Sequence, residues 1–168
     1  QAELEEHFAR CESVARNSRG SEESELEALS AIGILVRNGR IDDSEADFLK
    51  SSISEERLKR LKERASKGTA ETLEKIDQDL ALWAAQFAGD DTVKRDMIGQ
   101  IRLDLADKVS RENASATETQ KSALRIAQDV ADLSVLSKSK AEAALQRVLI
   151  LKGNLVAAQA ANSTLALA

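Results

Sequence analysis

The absence of proline from all 168 residues is the feature that most limits what this chain can fold into. Proline is the strongest helix breaker, so without it only glycine and short polar segments are left to end helices. Aromatic residues, which favour strands, make up only 2% of the chain, whereas charged residues make up 32%. The remainder is rich in Ala, Leu and Ser. We therefore predict an all-α fold.

The length is sufficient for one domain with a buried core. We expect a single helical domain over residues 1–168, arranged as an elongated bundle of about three long helices. A smaller helical-hairpin appendage is predicted at 21–66, and a long C-terminal helix at 117–168.

The predicted appendage begins at Ser21, which we expect to cap a helix that ends at Asn38-Gly39. A short second helix would bury Phe48 and Leu49, and a further helix is predicted to start near residue 53. The stretch LEALSAIGILVRNGRIDDSEADFLKSSI resembles the short SHOCT-type helix pair, from which we take only the hairpin shape.

In the middle of the chain, apolar residues recur at alternating spacings of three and four, which predicts one buried helix face. These residues are Leu73, Ile76, Leu80, Trp83 and Phe87. Burial of Trp83 is the expected outcome, and an exposed tryptophan that anchors a partner is the alternative. A loop or frayed helix end is expected near 113–117, where the apolar pattern fades.

The predicted C-terminal helix contains only one breaker, Gly153, and carries a seven-residue repeat from Ala141 onward. One repeat position holds Ala141, Val148, Leu155 and Asn162, and the other holds Ala144, Leu151, Ala158 and Leu165. A helix of ~50 residues would be ~75 Å long, which is more than a domain of this size can cover. We therefore expect part of this helix to contact another molecule.

The end of the chain, residues 153–168, carries no charged side chain. Small residues there let a second backbone approach closely, and side-chain amides can form hydrogen bonds across such a contact. The candidate helix–helix interface consists of Val148, Leu151, Gly153, Leu155, Ala158, Gln159, Asn162 and Leu165. The alternative is ordinary packing of this helix within its own bundle.

Few residues of this chain are of the types that bind metals or act in catalysis. His7 is the only histidine and Cys11 the only cysteine, so no metal-ligand spacing or intrachain disulfide is expected. Cys11 is interpreted as a packing residue, with an intermolecular disulfide as the alternative. No phosphate-binding loop, calcium loop or nucleophile elbow is present. We predict no enzymatic activity and no cofactor. The net charge of −5, without a dense basic face, also argues against nucleic acid as a partner.

The C-terminal stretch AALQRVLILKGNLVAAQAANSTLALA resembles the corresponding segment of TrbJ-type proteins of conjugation and type IV secretion systems. The matching positions are Gly153, Leu155, Ala157 or Ala158, Gln159, Ala160 and Asn162. The resemblance implies a secreted, mostly helical minor pilus component that contributes to assembly and recipient contact at the pilus tip. It implies pilin, secretion-channel components or further copies of the same chain as partners, with only indirect membrane contact.

The first residue is Gln1 and not Met, so we expect a signal peptide or added sequence to have been removed. Such removal permits export, and the resemblance to TrbJ-type proteins implies a periplasmic or extracellular, pilus-associated location, with a cytoplasmic location as the alternative. Two other classes fit the composition. One is a cytoplasmic coiled-coil adaptor that oligomerises through the same repeat, and the other is a phasin-like coat on a lipid surface.

Overall fold

A computed structural model describes the backbone of residues 1–167 and the side chains of these residues except Ala70 and 164–167. Over the described backbone the protein is all-α, as predicted, and has no strand. It forms seven helices where about three long ones were expected. The helices are α1 Ala2–Asn17, α2 Glu22–Arg37, α3 Asp43–Lys67, α4 Ala70–Trp83, α5 Thr92–Glu112, α6 Thr117–Ala131 and α7 Lys138–Leu167. A π-helical turn, Ala84–Ala88, follows α4.

The chain divides into two compact units, Gln1–Arg60 and Leu61–Ala168, with the boundary inside α3. This division is finer than the single domain predicted over 1–168. The first unit also differs from the predicted appendage at 21–66, because α1 packs against α2 and belongs with it.

The first unit has an aliphatic core to which all three helices contribute. Its centre contains Ala15 of α1, Ile32 and Leu35 of α2, and Leu49 and Ile53 of α3. Ser21 caps α2 as predicted, since its hydroxyl accepts a hydrogen bond from the Ser24 backbone N–H. These contacts bury one face of each helix and define the unit.

A buried carboxylate lies between α2 and α3. Glu25 is fully buried and pairs with Arg57, whose Nε lies 2.6 Å from Glu25 Oε2, and also with Arg60. A buried charge without partners would be costly, so these two arginines are what permits Glu25 to lie inside the unit. They also fix the position of α3 along α2.

Two predictions for α3 are wrong. No new helix starts near residue 53, because residues 43–67 contain neither glycine nor proline and form one continuous helix. Phe48, which was expected to be buried, is 69% exposed. In a continuous helix the buried face follows Ala46, Leu49 and Ile53, and Phe48 lies ~100° away from Leu49 on the outer side.

The second unit is built on α4, α5, α6 and α7, and α5 packs against each of the other three. Trp83 is buried, as are Leu73, Ile76 and Leu80, so these four predicted core positions are confirmed, whereas Phe87 lies in the π-helical turn and is only half-buried. The predicted interruption near 113–117 is also confirmed, because α5 ends at Glu112 and α6 begins at Thr117.

One ion pair is buried between α4 and α5 in the second unit. Arg102 Nε donates to Asp77 Oδ1 at 2.6 Å, and the Arg102 guanidinium also donates to Asp77 Oδ2 at 3.2 Å. Both side chains are almost inaccessible to solvent. Two parallel hydrogen bonds suit the planar guanidinium and specify how these two helices align.

The single helix predicted over 117–168 is not formed. The chain leaves the helix after Ala131 and resumes it at Lys138, so α6 and α7 fold back on each other as a hairpin. Ser137 makes this break favourable. Its hydroxyl accepts from the Lys140 backbone N–H at 3.2 Å, and its own N–H donates to Asp96 Oδ1 at 2.9 Å. These hydrogen bonds replace those that a continuous helix would have made.

Candidate helix–helix interface

The seven-residue repeat of α7 packs largely inside its own unit. Ala144, Val148, Leu151 and Ala158 are buried, and Leu155 is half-buried. Helix α7 lies against α6 and α5, and these small and branched side chains fill the space between them. Three of the predicted interface residues, Val148, Leu151 and Ala158, are therefore covered by the chain itself and do not form an exposed surface.

The amide side chains on α7 also contact their own unit. Asn162 Nδ2 donates to Thr117 Oγ1 at 2.8 Å and to the Ser115 carbonyl at 3.2 Å. Asn154 Nδ2 donates to Ser110 Oγ at 3.2 Å. These hydrogen bonds attach α7 to the start of α6 and to the end of α5. The Asn162 amide, which was predicted to serve an interface with a partner, is engaged within the chain.

The hydroxyl that Asn154 contacts belongs to a buried polar cluster. Ser110 Oγ donates to Gln120 Oε1 at 2.5 Å, and Gln120 Nε2 donates to the Ser110 carbonyl at 3.0 Å. Both side chains are buried, so each polar atom needs a partner inside the protein. The cluster fixes the α5–α6 turn against which the middle of α7 packs.

The remaining predicted interface residues have different surroundings. Gly153 and Gln159 are exposed, and the Leu165 side chain lies outside the described residues. The predicted set is thus divided between the inner and outer sides of α7. Among the described residues of the predicted set, only Gly153, Gln159 and the exposed part of Leu155 could contact a partner without first losing a contact within their own unit.

A second apolar face of α7, which the sequence analysis missed, points to solvent. Leu145, Leu149, Ile150 and Val156 are 55%, 67%, 52% and 64% exposed. Together with smaller exposed residues they form what we call the outward face, made of Leu145, Leu149, Ile150, Gly153, Val156, Ala157 and Ala160. The exposed polar side chain of Gln146 also lies on this face, ~20° around the helix from Gly153. The sequence did indicate this face, because large aliphatic residues occur on all sides of α7. A surface helix normally carries them on one side only.

Gly153 lies at the centre of the outward face. At ~100° per residue it is ~180° around the helix from Ala144, which is fully buried at the centre of the inner face. An added Cβ at Gly153 would meet no heavy atom within 4 Å, and the backbone there does not have a positive φ. Neither the packing nor the backbone conformation of this chain therefore requires glycine at this position.

The charged residues beside the outward face are few, and one of them is held by its own unit. Arg147 Nε lies 3.3 Å from Asp107 Oδ1 on α5. Burial raises the pKa of Asp107, while the positive charge of Arg147 opposes that increase. Glu142 is exposed at the N-terminal end of the face, ~20° around the helix from Gly153, and Lys152 is exposed at its edge, ~100° around. From Gly153 onward the face carries no charge at all.

A second concave surface lies in the first unit, between α1 and α2. It is an open groove of about 600 Å³ whose lining includes His7, Cys11, Leu26 and Ile34. Cys11 is buried, in agreement with its interpretation as a packing residue, and its Sγ lies 3.8 Å from His7 Nε2. No third metal-ligating side chain joins this pair, and the described residues contain no cluster of three or more such groups.

Within the described part of the chain, no helix combines the length and the apolar character needed to cross a membrane. No protein-family model, curated protein or solved structure matches the chain.

Proposed function

We propose that this protein is a non-enzymatic structural subunit of a conjugation or type IV secretion apparatus that assembles through the outward face of α7. The observation that carries the proposal is the exposure of four large aliphatic side chains, Leu145, Leu149, Ile150 and Val156, on one uncharged helix face. Contiguous exposed apolar surface of this kind is typical of a protein–protein contact.

The energetic argument rests on burial. Covering a fully exposed Leu, Ile or Val side chain contributes about 1.5–3 kcal/mol, so covering four half-exposed ones contributes about 3–6 kcal/mol. That gain is available only if a partner covers the face, because the described residues of its own unit do not. Helix–helix packing is the geometry that fits an uncharged apolar face along one side of a helix.

The apparatus itself is proposed from the resemblance of the C-terminal 26 residues to TrbJ-type proteins. The expected partners are pilin, secretion-channel components or further copies of the chain, and the expected location is periplasmic or extracellular at the pilus tip. The proposed contact residues differ from the predicted set. The large aliphatic residues Leu145, Leu149, Ile150 and Val156 take the place of the buried Val148, Leu151 and Ala158, and Gly153 is kept.

Complementation of a donor strain that lacks the gene tests this proposal. Leu149→Lys introduces a charge into the face and is expected to lower conjugation about 10-fold or more. Leu26→Lys is the matched control, because Leu26 is similarly exposed at 59% but lies in the first unit. It is expected to leave conjugation near the wild-type level. Unchanged conjugation after deletion of the gene would contradict the proposal.

Cell fractionation separates the proposal from its two rivals. Recovery with sheared pili supports an apparatus subunit, whereas recovery only in the cytoplasm favours a coiled-coil adaptor. Cosedimentation with lipid granules or vesicles that Leu149→Lys abolishes favours a phasin-like coat, because the outward face would then rest on lipid.

A further inference from the structure

We infer that the outward face of α7 binds the same face of a second copy of this chain, in an antiparallel arrangement with Gly153 on the two-fold axis. The inference deepens the proposed function by naming the partner of that surface. The inference rests on the proposed function only in treating the outward face as an assembly contact.

The first argument is the position and the cost of Gly153. Glycine inside a helix is less favourable than alanine by ~0.5–1 kcal/mol, because it loses more conformational freedom on folding. Here that cost brings no benefit within the chain, since the space beside the Gly153 Cα is empty and its backbone is ordinary helix. A benefit arises if a second backbone approaches at this point, where a side chain would hold it away. Gly153 is central on the outward face, so the closest approach would also be central.

The second argument is the distribution of side-chain size along the face. The part before Gly153 carries Leu145, Leu149 and Ile150, whereas the part after it carries Val156, Ala157 and Ala160. An antiparallel copy reverses this order. Leu149 then faces the partner's Val156, Ile150 faces the partner's Ala157, and Leu145 faces the partner's Ala160. Large residues thus meet smaller ones along the whole contact, which is how facing positions of packed helices interdigitate.

The third argument is charge. In a parallel pair, Glu142 would approach the partner's Glu142, because it lies only ~20° around the helix from Gly153. In the antiparallel pair the two Glu142 side chains lie at opposite ends of the contact, ~33 Å apart along the helix axes, so these like charges do not meet. Lys152 lies ~100° around the helix from Gly153, at the edge of the contact in either arrangement. Antiparallel helix dipoles are also mutually favourable. The absence of charge on the rest of the face means that a strongly charged partner would find no counter-charge there.

The size of the contact sets the expected affinity. From Leu145 to Ala160 the helix advances ~22 Å, so one helix pair covers less than the ~800 Å² per partner of a typical stable interface. Burial of eight half-exposed aliphatic side chains is partly offset by the cost of association. We therefore expect a reversible dimer with a dissociation constant on the order of 10–100 µM. Such a contact is occupied when the chain is concentrated in an assembly.

Cysteine cross-linking tests the arrangement directly, in the full chain with the buried native thiol removed by Cys11→Ala. Gly153→Cys is expected to form disulfide-linked dimers at 100 µM protein, because the two positions meet on the axis. Gln159→Cys is the control, since Gln159 is exposed on the same helix but ~120° around from Gly153. It is expected to give at least ~10-fold less dimer.

The direction of the helices follows from two further variants. Leu145→Cys and Ala160→Cys are each expected to cross-link poorly alone and efficiently when mixed, since each faces the other in the antiparallel pair. Cross-linking of Leu145→Cys with itself would indicate a parallel pair and overturn the inference. Equal cross-linking at Gly153 and Gln159 would overturn it as well.

Sedimentation equilibrium provides an independent measurement. The wild type is expected to show a monomer–dimer equilibrium, Leu149→Lys to weaken it about 100-fold or more, and Leu26→Lys to leave it unchanged. A wild-type monomer at all concentrations up to ~1 mM would overturn the inference, whether the face then binds pilin or vesicles of anionic lipid. If Leu149→Lys still abolished conjugation in that case, the proposed function would stand without the dimer. A dimer that Leu149→Lys dissociates without affecting conjugation would leave the inference intact and remove the proposed function.

Discussion

Replacement of Gly153 by alanine is expected to change the stability of the chain and its self-association in opposite directions. In the isolated chain the new methyl group meets no heavy atom within 4 Å, so it introduces no clash. Position 153 is well inside α7, which extends from Lys138 to Leu167. Alanine is favoured there over glycine by ~0.5–1 kcal/mol because it restricts the unfolded chain. For a chain of this size that gain corresponds to an increase of about 1–4 °C in Tm.

In the dimer the same substitution places two methyl groups where the backbones are closest, so the dissociation constant is expected to rise about 10-fold. Urea unfolding at ~2 µM, well below the expected dissociation constant, reports the stability of the monomer. Sedimentation at ~100 µM reports association. Because the chain divides into two compact units, the shift is expected in the transition that includes α7. Ala157→Gly, on the same face, is the converse control and should destabilise the monomer.

Unchanged or lower stability of Gly153→Ala in the monomer would refute the statement that nothing within the chain requires this glycine. Higher stability with unchanged association would refute the close approach of a second backbone at this point. Only the combination of a more stable monomer and a weaker dimer agrees with both parts of the reasoning.

Other contacts give further predictions. Glu25→Ala should destabilise the first unit by about 2–4 kcal/mol in urea unfolding, because it removes the buried partner of Arg57 and Arg60, which are themselves partly exposed. Arg102→Ala should cost the second unit about 3–5 kcal/mol, since it leaves Asp77 buried without its partner; a loss below about 1 kcal/mol would contradict the burial of that pair. Burial raises the pKa of Asp107, so the contribution of this carboxyl to stability is greatest below its ordinary value of 3.8 and decreases as the pH rises through the higher folded value. Asp107→Asn should therefore make the urea midpoint less dependent on pH above 4. An unchanged dependence of the urea midpoint on pH would contradict the raised pKa of Asp107.

The helical class and the core of the second unit could be predicted from the sequence because local patterns determine them. The absence of proline and the spacing of Leu73, Ile76, Leu80 and Trp83 specify helices with one buried face whatever their neighbours are. The loop before Thr117 could be predicted for the same reason, since the apolar pattern fades there.

The turn between α6 and α7 could not be predicted in this way. Residues 132–137 contain no glycine or proline, and Asp132, Ser134 and Ser137, although they are of types that favour caps and turns, are also common within helices. The break depends on a cap from Ser137 and on a hydrogen bond to Asp96, 41 residues earlier, which no local pattern specifies. Because the predicted helix was continuous, its length suggested that part of it contacts another molecule, and over the described backbone no helix of that length is formed.

Which side of α7 is buried could not be predicted from the sequence either. The seven-residue repeat correctly identifies one packing face, but α7 has apolar residues on both sides. Only the position of α5 and α6 determines which side is buried. The candidate interface therefore moves from Val148, Leu151 and Ala158 to the opposite side of the same helix. Gly153 belongs to both the predicted and the proposed interface. It was chosen for its lack of a side chain, which does not depend on which side of the helix is buried.

The central claim is that the outward face of α7 is covered in the assembled protein, and thiol labelling tests it most directly. Val156→Cys, at a position 64% exposed in the isolated chain, is compared with Gln159→Cys, in each case with Cys11→Ala. Both variants are labelled as dilute monomer and in sheared pili. The account predicts that assembly slows labelling at position 156 by about 10-fold or more, with position 159 little affected. Equal labelling rates at position 156 in the two states would contradict it.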